Sequence, residues 1–302
     1  MGYFRVLTWN ILHEFFAIKY ETAPGIITTT VNGEKKITGN WKTRKILILN
    51  VLEKSKCDII CLQEVSLEAR AFFEAELRKI HYIIAGCVIH STLDHKNPYG
   101  NLIFYKPREE ALTAFKLKTY RTLEKKLIFP QKLYITGRGE LFVDFNVGDN
   151  TCIRVATTHL IGYSRFDQDP GSEQKKKEAA LTGYNQLTEI IEYIEKDSDE
   201  IDCIMITGDF NEGFEAEKED YSRLKLLERN GYIYDGNKDP SEPSTKTKID
   251  HIYLKYLRQR ELVTQITHET APPGAEEASD HLPVLLKLLL RKNFVRDGQV
   301  ST

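Results

Sequence analysis

The sequence predicts an α/β fold with two β-sheets and helices outside them, in one domain over residues 1–302. Three observations carry this. Short apolar runs alternate along the chain with longer amphipathic stretches. The second half repeats the plan of the first, and no linker or low-complexity segment divides the two. Hydrophobic residues make up 41% of the 302, enough for a sizeable core.

The elements follow in order. Val6–Trp9 reads as a first strand. Trp41–Ser55 reads as a helix, because Ile46, Leu49, Val51 and Leu52 recur at helical spacing while Lys42, Arg44, Lys45 and Lys54 take the other face. Asp58–Leu62 is a buried strand ending at Gln63–Glu64, and Leu67–Lys79 a second helix. Strands are expected at Tyr82–Ile89, Asn101–Tyr105, Ala111–Leu117, Glu140–Asn146 and Cys152–Thr158. In "ELFVDFNV" the odd positions Leu141, Val143, Phe145 and Val147 predict a strand packed on that face. Glu173–Lys196 is a long helix with Leu187, Ile190, Ile191 and Ile194 on one face. Ile201–Thr207 is a buried strand ending at Gly208–Asp209. A helix near Tyr221–Asn230, capped by Gly231, precedes strands at Ile249–Leu254 and Leu282–Leu290. The long connections Phe15–Asn40, Gly162–Ser172 and Asn211–Asp220 have the length of binding loops or disordered segments.

Charge excludes some functions. There are 42 Lys+Arg against 44 Asp+Glu, a net charge of −2, which is wrong for a polybasic nucleic-acid coat protein. A local basic patch still suffices for a phosphate-handling enzyme. The five cysteines, Cys57, Cys61, Cys87, Cys152 and Cys203, contain no CxxC pair, so buried reduced thiols are expected rather than disulfides or a thiolate zinc site. The first ten residues enter a strand pattern at once, so no signal peptide is expected. The apolar run "LPVLLKLLLRK" contains Lys287 and is about half a bilayer span. A cytoplasmic protein without stable membrane insertion is the expectation.

Polar residues recur where buried strands end: Asn10 after "RVLTW", Glu64 after "DIICLQ", His159 after "IRVATT", Asp209 and Asn211 in "GDFN", Asp250 in "KIDHIYL", and Asp280–His281 in "SDHLPV". Singly, each is explained as a cap or turn former. Strand ends in a layered sheet protein converge on one rim, however, and acids gathered there repel one another unless a cation sits among them. Oxygen donors without a thiol suit Mg²⁺ or Mn²⁺.

The ordered set "TWN", "LQEV", "THL", "GDFN", "ID" and "SDH" resembles the endonuclease/exonuclease/phosphatase superfamily, with motifs running from Asn10 to His281. The resemblance implies a four-layer αββα sandwich of two mixed β-sheets, and divalent-metal-dependent cleavage of phosphoesters by water. It implies Glu64 as principal metal carboxylate, with Asn10 and Asp280 near the metal. Asp209 would orient or deprotonate the attacking water, and Asn211 would hold it or a phosphate oxygen. His281 would contact a non-bridging oxygen, with Asp250 fixing its tautomer. His159 would stabilise the phosphorane charge or assist the leaving group. Which group is the general base stays open.

Two basic residues outside the motifs are candidate substrate contacts. Arg138 stands between glycines at a strand entrance, and a similar Arg-Gly element occurs in the tyrosyl-DNA phosphodiesterase members. Lys248 precedes Asp250 by two and should share its side of the strand, as should Lys246. The other basic residues from Lys116 to Lys132 read as a solvated loop and hairpin, and the acidic stretch from Glu189 to Asp220 as a helix face and loop. Tyr99 and Tyr163 are candidates to stack a base, and Trp41 for local packing. The function expected first is a Mg²⁺-dependent (or Mn²⁺-dependent) nuclease or phosphodiesterase on single strands or ends of nucleic acid. The alternatives are a phosphatase or phosphodiesterase of a small molecule or lipid head group, and a non-catalytic binding protein of the same fold.

Overall fold

The computed structural model describes residues 2–17, 21–23, 26–27, 40–90, 98–107, 117–127, 138–147, 151–162, 172–196, 198–213, 221–234, 239–241, 247–258 and 263–290. Its first half holds β1 (Gly2–Asn10), α1 (Glu14–Ala17), β2 (Glu21–Ala23), β3 (Ile26–Ile27), α2 (Trp41–Ser55), β4 (Ile59–Ser66), α3 (Leu67–Arg78), β5 (Ile83–His90) and β6 (Tyr99–Tyr105). The rest holds β7 (Leu117–Leu127), β8 (Arg138–Val147), β9 (Cys152–His159), α4 (Ser172–Glu195), β10 (Cys203–Asp209), α5 (Arg223–Arg229), β11 (Ile233–Tyr234), β12 (Asp250–Tyr256), β13 (Val263–Glu269), α6 (Ala275–Ala278) and β14 (Val284–Leu290).

Two six-stranded sheets form, ordered β13-β14-β1-β4-β6-β5 and β11-β12-β10-β9-β8-β7. Among the described residues only β1–β4 and β9–β10 pair in parallel, so both sheets are mixed and each has its parallel pair at the centre. Alternation along the strands builds the layers. Phe4 and Val6 on β1 face Ile153, Val155, Cys203 and Met205 of the other sheet. Leu7 and Trp9 point outward, beneath Ile48, Leu49 and Leu52 of α2 and Phe73 of α3. Ile204 and Ile206 of β10 likewise meet Leu187, Ile190 and Ile194 of α4 and Leu224 of α5. The expected four-layer sandwich is the fold found.

Several local expectations need correction. Arg44 was placed on the solvated face of its helix, but it is fully buried, while Ile46 is 45% exposed. The guanidinium is held inside because it donates to the carbonyls of Ile11 (2.6 Å) and Ala278 (3.3 Å). The even face of "ELFVDFNV" is also covered: Phe142 packs among the α4 residues, and Asp144 accepts two bonds from buried Arg154 at 2.6 and 2.9 Å. Glu212 belonged to the solvated acidic stretch, yet it is buried, accepting from Ser222 Oγ (2.7 Å) and Arg223 N (2.9 Å) at the start of α5. Asn230 caps α5, and Gly231 follows it at φ +81°. The basic stretch, expected as a loop and hairpin, does supply a hairpin strand, β7, paired antiparallel with β8, whereas β13 is a strand the sequence did not suggest. The expected strand at Ala111–Leu117 lies outside the described residues up to its last position, as do Lys246, Tyr163 and most of the three long connections.

Candidate active site

The two-residue period that builds the inter-sheet core also delivers the polar cluster. On β1 the inward row runs Phe4, Val6, Thr8, Asn10; on β9, Ile153, Val155, Thr157, His159; on β10, Cys203, Met205, Thr207, Asp209. Asp250 opens the row of Ile252 and Leu254 on β12, and it pairs with Asp209 in register. Each row is apolar between the sheets and turns polar where they end. Thus Asn10, His159, Asp209 and Asp250 meet on one rim.

Glu64 arrives by a different route. Regular alternation from Ile59 and Cys61 would send it outward, toward the helices. The β4–β6 register shifts between Leu62 and Val65, and Glu64 adopts φ +59°. This bulge re-aims the carboxylate at the rim. There Glu64 Oε2 accepts from His13 N at 2.8 Å and Oε1 from Asn10 Nδ2 at 3.2 Å. A second backbone device stands at Gly208, with φ +135°. A Cβ there would lie 2.0 Å from the Thr158 carbonyl oxygen, so only glycine lets β10 run this close to β9 before Asp209.

Asp209 is the hub of the cluster. Its Oδ2 accepts from Asn10 Nδ2 at 3.0 Å and lies 3.3 Å from His159 Nε2 and 3.9 Å from His281 Nε2. Its Oδ1 accepts from Asn211 N at 2.8 Å. Asn211 adopts φ +52°, and its Nδ2 donates to Leu160 O at 2.9 Å. His159 Nδ1 lies 4.0 Å from Glu64 Oε1, so this ring spans the gap between the two carboxylates. His281 Nδ1 and Asp250 Oδ2 are bonded at 2.8 Å.

The electrostatics divide the acids. Burial, then the neighbouring Asp250 charge, pushes the Asp209 carboxyl up to about 7, against the pull of His281 and its hydrogen bonds. Burial would raise Asp250 too, but the charge and hydrogen bond of His281 outweigh it and hold Asp250 below its ordinary value. Burial alone would lower His281, yet Asp250, Asp209 and Asp280 raise it well above 6.5. The dyad is therefore an imidazolium on a carboxylate, next to an acid that exchanges its proton near neutrality.

The loop carrying His281 is anchored to β1. Trp9 Nε1 donates to His281 O at 2.8 Å, Ser279 Oγ donates to Asn10 O at 2.7 Å, and His281 N donates to Ser279 Oγ at 3.2 Å. Arg44 joins the same two segments through Ile11 O and Ala278 O. Burial pulls its guanidinium down to about 10, against the acids Asp280, Glu14 and Glu64 that face it. Beneath the rim, Gln63 Nε2 crosses between the sheets, donating to Thr8 Oγ1 at 3.0 Å and Thr157 Oγ1 at 2.8 Å. The sequence reading missed Arg44 and Gln63 as supports. The signal for Gln63 was its place beside Glu64 in "LQEV"; Arg44 gave none, because a cation on a helix reads as solvated.

The sequence candidates are placed as follows. Asn10, Glu64, His159, Asp209, Asn211, Asp250 and His281 share the rim. Asp280 borders it, with Oδ1 3.9 Å from His281 Nε2. Asn10 turns its Nδ2 toward the acids and its Oδ1 to Leu12 N, so it bridges Glu64 and Asp209. Lys248 is buried near Asp250, whose carboxyl it helps hold down. Arg138 opens β8, and its side chain lies outside the described residues. Tyr99 packs on His13 and Phe16, and Trp41 donates to Glu68 at 2.8 Å. Among the described residues, one compact group that could hold a metal is Asp209, Asp250 and His281. One Asp250 oxygen of that group is already bonded to His281, while Glu64 is linked to Asp209 through Asn10 Nδ2, which donates to both carboxylates.

A family model described as "Endonuclease/Exonuclease/phosphatase family" matches residues 7–281, from β1 to the dyad histidine. The chain belongs to this family. Endonuclease/exonuclease/phosphatase enzymes are hydrolytic phosphoesterases and generally use divalent metals. No curated protein matches the chain in sequence. Among solved structures, the human Nocturnin catalytic domain with bound sulfate is similar at 16% identity and TM-score 0.62, covering 96% of this chain and 94% of that one. D. rerio TDP2 complexed with single strand DNA product is similar at 12% identity and TM-score 0.60, over 96% and 100%. ANGEL2, a 2′,3′-cyclic phosphatase, is similar at 16% identity and TM-score 0.59, over 95% of each chain. At these identities the likeness is one of fold. No described helix is long and apolar enough to cross a membrane.

Proposed function

We propose that residues 1–302 form one catalytic unit, a Mg²⁺-dependent (or Mn²⁺-dependent) phosphodiesterase acting on single strands or ends of nucleic acid. The observation that carries this reading is the Asp209 environment. One carboxylate oxygen faces an amide and two imidazoles within 3.0 to 3.9 Å, and the carboxyl is pushed up to about 7. A group that exchanges protons near neutrality at a polar rim suits activation of water.

The residues present fit a divalent cation. Burial first, and then the Asp250 charge beside it, raise Asp209; a cation would relieve both, and the donors are oxygen and imidazole without a thiol. Glu64 would hold the ion, with Asp280 and the Asn10 amide bordering it. When bound, the cation supplies charge to phosphoryl oxygens and lowers the pKa of water. Asp209 takes the proton of the attacking water, and Asn211 fixes the loop that aims it. Water oxygen joins phosphorus as the phosphorus–oxygen ester bond breaks. The His281 imidazolium, held by Asp250, donates to a non-bridging oxygen as charge gathers there. His159 stabilises the same charge or serves the leaving oxygen. Arg138 and Lys248 would contact further phosphates of the substrate.

TDP2 with a single strand DNA product supports nucleic acid as substrate. A phosphatase of a small phosphoester is the second reading; ANGEL2, described as a 2′,3′-cyclic phosphatase, and the net charge of −2 favour it. A cytoplasmic location is proposed on the buried thiols of Cys57, Cys61 and Cys203, none of which is in a disulfide. The test is a metal-dependent screen over duplex DNA, single-stranded DNA, poly(A) RNA, 5′-tyrosyl DNA, inositol phosphates and a 2′,3′-cyclic nucleotide. Fastest turnover of a single-stranded or terminal substrate is expected. Turnover of inositol or cyclic phosphates alone would replace the first reading by the second.

A further inference from the structure

β12 begins where its sheet runs out of partners. On one side Asp250 pairs with Asp209, and Phe210 N donates to Ile249 O at 2.9 Å. On the other side β11 pairs, among the described residues, with Tyr253 and Leu254 only. The amides of Ile249 and Asp250 are left over, and a buried N–H without an acceptor is costly. Ser241, itself buried, supplies the acceptor. Its Oγ takes Ile249 N at 3.0 Å and Asp250 N at 2.9 Å. Its own N donates to Thr247 O at 3.0 Å, which fixes Ser241 against the approach to β12.

The same residue reaches the other half of the dyad. Ser241 O accepts from Leu282 N at 2.6 Å, and Leu282 directly follows His281. His281 N donates to Ser279 Oγ and His281 O accepts from Trp9 Nε1, and both of those bonds tie the loop toward β1. The Ser241–Leu282 bond instead refers it to β12. A hydroxyl that accepts two amides keeps its proton for a third partner, and the Asp250 carboxylate is beside it. Burial works to raise Asp250; against it stand the charge and bond of His281, and then a hydrogen bond from Ser241.

We propose that Ser241 is a positioning residue for the reaction, holding Asp250 by its hydroxyl and the segment after His281 by its carbonyl so that Asp250 Oδ2 and His281 Nδ1 meet. The role rests on the proposed phosphoesterase reading, whereas the geometry it fixes does not. Initial rates with Mg²⁺ on a single-stranded oligonucleotide are compared for wild type, Ser241→Ala, Asp250→Ala and the double variant. Ser241→Ala should lower kcat about tenfold, the worth of one buried hydrogen bond, and leave KM within about twofold. Added to Asp250→Ala it should change kcat by less than about twofold, because its effect runs through Asp250. A residue that only stabilised the fold would cost the same in both backgrounds. Without turnover, the His281 Nδ1 proton is followed by NMR in histidine-labelled protein and identified by its loss in His281→Ala. It should move upfield or vanish in Ser241→Ala. Ser241→Cys, close in size but a weak acceptor, gives the same comparisons if Ser241→Ala does not fold. An unmoved His281 signal, or an equal loss of kcat with and without Asp250→Ala, would overturn the proposal. A His281 signal that responds while no substrate is hydrolysed would overturn the phosphoesterase reading and leave the Ser241 link standing.

Discussion

His281 Nδ1 stands 2.8 Å from Asp250 Oδ2, and both residues are buried. The bond joins the loop before β14 to the first residue of β12, so it crosses from one sheet to the other at the rim. It fixes which imidazole nitrogen faces Asp209, because Nε2 is the one left pointing there at 3.9 Å.

A pair acting as a unit gives non-additive losses. His281→Ala should lower kcat on the order of 10²–10⁴-fold, the usual worth of a positioned acid or base. Asp250→Ala should cost nearly as much, and the double variant little more than either single one. A double-mutant cycle on kcat checks this, and strict additivity would count against the pair.

The position of Asp209 predicts how stability follows pH. Its folded value, about 7, lies above the ordinary 3.8. Between those values the unfolded chain loses a proton that the folded protein keeps, so stability falls as pH rises through the window and levels off above it. Asp209→Asn removes the charge and should flatten the fall. In chelator, the variant should gain roughly 1–3 kcal/mol on wild type between pH 4 and 8. Urea denaturation at those pH values reads the difference; parallel profiles would refute it.

Arg44 ties the segment after Asn10 to the segment before His281. Replacing it by Met leaves the Ile11 and Ala278 carbonyls without this donor, and should cost about 2–4 kcal/mol of stability. Activity should fall further than the residual folded fraction explains, because the two site-bearing segments lose their tie. Arg44→Lys, which keeps a donor and the charge, should recover part of both. Equal stability of wild type and Arg44→Met would refute the tie.

Gly208→Ala tests the backbone at "GDFN". The new Cβ meets the Thr158 carbonyl in a conformation already strained for any side chain. A loss of about 2 kcal/mol or more is expected, with a fall in kcat as Asp209 shifts against His159. Thermal unfolding and initial rates measure both, and a wild-type melting temperature would contradict the reading.

Much of this site was legible in the sequence because a strand has an exact period of two. Once Phe4, Val6 and Thr8 face inward, Asn10 must follow; the same step carries Met205 to Asp209 and Val155 to His159. Glu64 was legible from its place at a strand end and from its motif, but not from alternation, which would have sent it outward; the bulge that re-aims it gave no signal. Arg44 and Glu212 were misread for one reason. A charged residue is assigned to solvent unless its partners are visible, and theirs were not: the Ile11 and Ala278 carbonyls far along the chain for Arg44, and Ser222 Oγ with Arg223 N at the start of α5 for Glu212. β13 was missed because "VTQITHE" has too few apolar positions to stand out; as an edge strand it buries little.

The most direct test of a metal-dependent phosphoesterase centred on Glu64 and Asp209 is one rate comparison. Hydrolysis of a single-stranded oligonucleotide is followed for wild type and Glu64→Gln, in chelator and with Mg²⁺ restored. Expected is wild-type activity that vanishes in chelator and returns with Mg²⁺, and a Glu64→Gln protein, folded by circular dichroism, that stays on the order of 10²-fold slower or more in both buffers. Full activity of Glu64→Gln in chelator would contradict it.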